Sequence, residues 1–304
     1  MRLSLCLVVS AVLQAERPPI IDVHFHAGPG GGDAICAQPE YWTSNPDSKG
    51  APCARTLLAS VSDEAHLSEN LRILDERNIT AITSGSPEYV DRWKKAGGKR
   101  IIPALQFQLR TAPKIDVLRD WLQSGRFAVL GEVTNQYAGI APDDPAFEPY
   151  LALAEELDIP MGIHMGTGTP GAPYLGRKTY RARLSDPFLL EEVLVRHPKL
   201  RVYVMHAAWP LADAMVAMLY SHPQLYVDTG VISWTQPRGE FHRFLQRLID
   251  GGYGKRIMFG SDQMSWPDAI PIAIEAIDSA PFLSGEQKRD ILYTNAVRFF
   301  RIKQ

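Results

Sequence analysis

Short apolar runs recur along this chain, separated by longer stretches in which apolar residues return every three or four positions. The runs occupy 21–26, 79–83, 100–105, 127–132, 159–164, 200–206, 225–229 and 256–262. The helical period marks 69–78, 88–96, 115–124, 147–157, 187–196, 211–220, 240–249 and 270–277. Many of the runs are apolar throughout rather than at alternate positions, as expected of parallel strands covered on both faces. Eight strands alternating with helices close most naturally into a TIM (β/α)8 barrel, with an additional C-terminal helix at 285–300 packed on its outside. No linker, composition shift or fixed-period repeat divides the chain, so 16–304 is predicted to be a single barrel domain.

Two stretches break the alternation. Arg2 followed by the apolar run Leu3 to Leu13 and the small Ala15 predicts a signal peptide over 1–15, too short to span a bilayer. A buried N-terminal helix and a short membrane anchor are the competing readings. Export, to the periplasm or the medium, is the expectation. From Gly28 to about Asp63 the chain is irregular, with Gly30-Gly31-Gly32 and several prolines, and a loop of that length beside a strand end predicts a lid or pocket wall. It holds Cys36 and Cys53, which either pair, contributing about 3 kcal/mol at this loop length, or stay as free thiols.

Composition adds exclusions. With 45% hydrophobic and 22% charged residues the chain is that of a globular protein, and a net charge of -2 offers no footprint for nucleic acid. The expected partner is a small-molecule substrate; assembly into a homo-oligomer is left open.

Polar residues at strand ends carry the chemistry, because such barrels react at the C-terminal rim. In Ile21-Asp22-Val23-His24-Phe25-His26, alternation places Asp22, His24 and His26 on one face, and two imidazoles two residues apart can grip one divalent cation. Further donors end later strands: Glu132, His164, His206 and Asp262. Singly, each has a plainer reading, as a core histidine bonded to a carbonyl, a rim acid paired with arginine, or a helix cap. Jointly they are what a buried metal site requires. His66, His197, His222 and His242 read as surface residues.

The motifs Asp-x-His-x-His, Gly-Glu132, Ile-His164-Met-Gly, Met-His206-Ala, Gly-Ser-Asp262 and Asn295-Ala-Val-Arg298-Phe resemble the metal-dependent amidohydrolase superfamily, in a branch that includes hydrolases and decarboxylases of the aminocarboxymuconate-semialdehyde type. The resemblance implies a divalent metal, zinc first, with one or two ions per chain. It assigns His24, His26 and Asp262 to one ion, joined by His164 in one-metal members. In two-metal members His164 and His206 bind the second ion, and Glu132 stands where a bridging ligand belongs. Asp22 would orient the site from behind. Asp262 would move the proton of the attacking water, and in a decarboxylase His206 would act as acid or base.

On the substrate side, Arg177, Lys178, Arg181 and Arg183 follow His164, and Arg177 and Arg181 are candidates to hold a carboxylate, unless the loop is simply solvated. Trp209 and Trp234 are candidate pocket walls, with Trp266 a third tryptophan near a strand end. Three functions compete: an exported metal-dependent hydrolase of an amide, ester or lactone; a metal-dependent decarboxylase of a small unsaturated or aromatic acid; and a non-catalytic binding barrel.

Overall fold

In the computed structural model, which describes residues 17–38, 53 and 55–303, eight strands hydrogen-bond in sequence order, all parallel. They are β1 (Ile20–His26), β2 (Ile79–Gly85), β3 (Ile101–Phe107), β4 (Val129–Val133), β5 (Met161–His164), β6 (Val202–Met205), β7 (Tyr226–Asp228) and β8 (Ile257–Met258). The ring is joined where Val23 N donates to Phe259 O (2.9 Å) and Asp262 N donates to His24 O (2.6 Å). Between and after the strands run α1 (Asp63–Glu76), α2 (Pro87–Gly97), α3 (Ile115–Gln123), α4 (Glu148–Glu156), α5 (Glu191–Arg196), α6 (Ala212–Ser221), α7 (Arg238–Asp250) and α8 (Ala269–Asp278). This is the predicted (β/α)8 barrel. The predicted signal segment lies outside the described residues, as do 39–52 and 54 of the predicted lid.

The core has two layers. Outward-facing strand residues such as Phe25, Leu130 and Val204 meet the helices, where Phe25 stands edge-on to Trp93 at 5.8 Å. Inside the barrel, Ile21, Val23, Ile82, Ala104, Val129, Tyr203, Met205 and Met258 fill the lumen. Tyr203 crosses it: its hydroxyl donates to Val23 O, on a strand that is not its neighbour, at 3.1 Å. Gly162, paired with Tyr203 on β5, leaves the space, since a Cβ there would overlap the phenol ring.

Two corrections concern the ends of the barrel. The final helix, formed by Gly285–Arg289, a π-helical turn Asp290–Thr294 and Asn295–Phe300, is not merely packed outside. Ala296 and Phe299 join the lumen cluster and close the end where the strands begin, with Phe299 4.8 Å from Tyr226 and 5.6 Å from Tyr203. Asn295 of the late motif donates to Gly254 O and Ile257 O, which makes it a support for the start of β8. Strict alternation along β1 also fails. Between Asp22 and Phe25 it has one residue more than β2, so Ile21 and Val23 face the lumen while Phe25 faces the helices. A bulge re-aims a side chain, and here the re-aimed residue is His24. A second bulge lies in β4 between Leu130 and Val133, at Glu132.

Cys36 and Cys53 are joined in a disulfide, which decides the alternative left open by the sequence. Beside it, Ile35–Cys36 pairs antiparallel with Thr56–Leu57, and Gln38 N donates to Trp234 O (2.8 Å), anchoring the loop to the turn after β7. No helix among the described residues is long and apolar enough to cross a membrane.

Replacing Tyr203 with Phe leaves the buried Val23 carbonyl without its donor, and should cost about 1–3 kcal/mol in urea unfolding with the far-UV spectrum unchanged. An unaltered midpoint would show that the link across the lumen adds no stability.

Candidate metal centre

At the rim where the strands end, four imidazoles and two carboxylates from five strands or their succeeding turns converge. His24 and His26 come from β1, Glu132 from β4, His164 from β5, His206 from the residue after β6, and Asp262 from the turn after β8. Glu132 is central. Its Oε1 lies 3.8 Å from His24 Nε2, 3.8 Å from His164 Nε2 and 3.9 Å from His206 Nε2, and its Oε2 lies 3.7 Å from His26 Nε2. Asp262 Oδ1 is 3.7 Å from His24 Nε2 and 2.9 Å from His26 Nε2. All six predicted ligands are therefore brought together.

All four rings are held from behind, His26 most loosely, with its Nδ1 3.4 Å from Ser84 Oγ. His24 Nδ1 meets Asp228 Oδ2 at 3.1 Å, His164 Nδ1 meets Gln136 Oε1 at 2.7 Å, and His206 Nδ1 meets Gly230 O at 3.0 Å. A carbonyl only accepts, so His206 carries a proton on Nδ1 and turns Nε2 towards Glu132. Gln136 donates its amide nitrogen to Gly166 O (2.8 Å), so its oxygen faces His164 and imposes the same tautomer. Imidazoles fixed through one nitrogen and turned inward by the other are the arrangement of metal-ligating histidines. Glu132 is held likewise, accepting at Oε2 from Gln106 Nε2 (3.0 Å). A Cβ at Gly230 would strike the His24 ring, so the close approach of that turn requires glycine.

The electrostatics call for a cation. Burial pushes the His24 ring down, but Asp262, Asp228 and Glu132 outweigh it and hold the pKa up at about 10. Burial likewise opposes ionisation of Asp262, yet His24, His26 and His206 keep its carboxyl well below the usual range. Burial and neighbouring His206 push His164 far down, leaving it neutral. His24 Nε2 is buried without a hydrogen-bond partner although it faces Asp262 and Glu132. Ligands at ~2.1 Å from one tetrahedral ion lie about 3.4 Å apart, so separations of 3.7–3.9 Å suit shared coordination better than hydrogen bonding. The residues fit a divalent ion, which would supply the positive charge in place of a proton. Three overlapping donor groups occur among the described residues, His24–His26–Glu132, Glu132–His164–His206 and His24–His206–Asp228, with Glu132 in two of them.

Strain collects at the same rim. Non-glycine residues with left-handed backbone follow β6 (His206, Ala207 and Ala208, φ 61°, 50° and 55°), β7 (Val231, 53°) and β8 (Asp262, 49°; Met264, 46°). Each such residue costs of order 1 kcal/mol and persists only where its surroundings hold it.

Asp228 is missing from the sequence-derived set. Besides His24, it accepts from His206 N (2.9 Å) and Gly230 N (2.8 Å), so one carboxylate sets two ligand-bearing turns. Its signal was present, an acid closing an apolar run. Gln106, Gln136 and the Gly230 carbonyl carry no such signal. Asp22, predicted to orient the site, bonds no ring: its Oδ1 accepts from His24 N (3.1 Å) and Ser261 N (2.9 Å), tying β1 to the segment after β8, and burial pushes its carboxyl up to about 7.

The proposed pocket residues divide. Arg177 lies over the Tyr137 ring at 5.2 Å, and Tyr137 lies against His164 at 4.7 Å. Arg181 instead donates to Lys178 O and Tyr180 O, so it braces its own loop rather than reaching the centre. Trp234 is fully buried and donates to Ser261 O (2.7 Å), so it is a support behind Asp262 and not an exposed wall. Trp209 is half-buried, with its ring nitrogen unpaired. The surface reading of the remaining histidines is corrected: His66, His197 and His222 are buried, His66 beside Ser60 and Asn70 and His197 between Glu148 and Glu155.

The model of the amidohydrolase family matches residues 21–302. None of the curated proteins matches the chain. Among solved structures, the fold is similar to that of 2,6-dihydroxybenzoate decarboxylase from Rhizobium (15% identity, 93% of this chain and 98% of that one, TM-score 0.61). It is similar also to 4-oxalomesaconate hydratase from Rhodopseudomonas palustris (15%, 93% and 95%, 0.58). A third likeness is to a probable 2-pyrone-4,6-dicarboxylic acid hydrolase from Acinetobacter baumannii with citric acid bound (13%, 94% and 100%, 0.59). At such identities the likeness concerns the fold alone.

Changing Asp228 to Asn keeps the shape but removes the charge behind His24, and should weaken metal affinity about 10–100-fold in chelator competition. Wild-type affinity in that variant would rule out the supporting role.

Proposed function

The chain belongs to the amidohydrolase family, and from that premise we propose that it is a metal-dependent hydrolase opening an amide, ester or lactone of a small carboxylate-bearing substrate. The observation that carries the reading is Glu132, whose carboxylate stands within 3.9 Å of all four imidazoles and so is placed to bridge two ions. His24, His26 and Asp262 would hold one ion, and His164 and His206 the other. A set of four imidazoles and two carboxylates suits zinc. When bound, the ions would supply Lewis acidity, bringing the pKa of water to about 7 and polarising the carbonyl under attack.

The chain's own groups do the rest. Asp262, held ionised by the neighbouring imidazoles and with Oδ1 2.9 Å from His26 Nε2, would accept the proton of the attacking water and return it to the leaving group. His206 donates its Nδ1 proton to Gly230 O, which turns Nε2 towards Glu132 as a donor to a cation. That favours a ligand role over the acid role that decarboxylation would ask of it, and it is the reason hydrolysis is placed first. Asp228 and Gln136 keep the rings aimed during the cycle. A carboxylate-bearing substrate is consistent with the acids named for the similar structures and with Arg177 near the mouth.

Export belongs to the same proposal. Residues 1–15 would direct the chain out of the cytosol, to the periplasm or the medium. The Cys36–Cys53 disulfide supports this, since such bonds persist in oxidising compartments.

The zinc-loaded protein should hydrolyse members of a panel of lactones, esters and amides with no carbon dioxide released, and chelation should abolish turnover. Carbon dioxide release from a carboxylic acid, with no hydrolysis, would replace hydrolase by decarboxylase. Asp262→Asn should lower turnover by about 100-fold or more; full activity in that variant would refute its proton-transfer role.

A further inference from the structure

Beyond the metal ligands, the turn after β4 brings one more polar group to the mouth. Tyr137, in the 3-10 turn Asn135–Ala138, lies against the His164 ring at 4.7 Å and against Tyr180 at 5.3 Å. Its position is built rather than incidental. Thr179 Oγ1 donates to Tyr137 O (2.5 Å), and Tyr180 donates to Gly166 O (2.7 Å). The same loop carries Arg177 over the Tyr137 ring, its guanidinium carbon 5.2 Å from the ring centre. Arg177 is exposed and makes no ion pair among the described residues, in contrast to Arg181, which is spent on carbonyls. The Tyr137 hydroxyl makes no hydrogen bond among the described residues, and it is not one of the sealed, unpaired atoms. A donor and a cation thus share one aromatic plate beside the His164 ring.

We propose that Tyr137 and Arg177 form the substrate-recognition subsite: the Tyr137 hydroxyl donates to an oxygen next to the reacting carbonyl, and Arg177 pairs with a carboxylate at the far end of the substrate. The pair selects small acids whose carboxylate stands apart from the bond to be cleaved. The planar guanidinium on an aromatic face is pre-organised for that contact, which a lysine would not be. The subsite deepens the hydrolase reading and borrows from it only the identity of the reacting carbonyl.

The test uses the full-length zinc-loaded protein, with isophthalate and benzoate as probes in titration calorimetry and zinc content measured in each sample. Wild type should bind the dicarboxylate about tenfold tighter than the monocarboxylate, and Arg177→Gln should erase that preference while holding benzoate unchanged. Tyr137→Phe should weaken both probes about fivefold, the worth of one hydrogen bond, at unchanged zinc content. A preference that survives in Arg177→Gln, or a Tyr137→Phe variant that binds both probes as wild type does, would overturn the proposal. Loss of zinc in Tyr137→Phe would overturn it too, by making the ring only a prop for His164. Discrimination with no hydrolysis of any ester, amide or lactone would uphold the subsite and remove the hydrolase reading.

Discussion

The structure depends on one unresolved electrostatic demand. Glu132, Asp228 and Asp262 are buried together with three imidazoles, the half-buried His26 stands beside them, and burial strips His164 of its proton. The carboxylates drive His24 towards the charged form, and its Nε2 faces two of them without bonding either. An ionised group in the interior without a partner is costly. A divalent cation bound at that point meets the demand.

The barrel serves this demand by how it departs from regularity. Two bulges, at His24 on β1 and Glu132 on β4, turn side chains that a regular strand would place elsewhere. Left-handed residues after β6, β7 and β8 do the same for His206 and Asp262. The opposite end is built for stability. Tyr203 spans the lumen, and the final helix caps it with Phe299. Chemistry and stability thus occupy opposite mouths of the cylinder, which is how this architecture tolerates strain at one of them.

Much of this was legible in the sequence, for physical reasons. Eight apolar runs spaced by helical stretches leave few alternatives to a parallel barrel, and ionisable residues closing such runs have only the rim to go to. The six candidate donors carry that signal and converge, and Asp228, which closes a run in the same way, carries it too although it is not in the predicted set. The bulges could not be read, because an extra residue in one strand shows only against its partner's register. Nor could the supports Gln136 and Gly230, since any turn offers an amide or a carbonyl and only folding aims it. His66 and His197 are buried although their sequence context reads as surface, because a helix's polar positions look alike until its neighbours are known. The final helix misled for the same reason: its apolar face fits the barrel's end as well as its outside.

The central claim is that these side chains share ions. X-ray absorption spectroscopy of the zinc-loaded protein tests it most directly. The account predicts nitrogen and oxygen neighbours at ~2.0–2.1 Å with the multiple scattering of imidazole rings, and a second metal at about 3.5–4 Å. A protein that takes up no zinc, or whose zinc has a shell without imidazole, would contradict it.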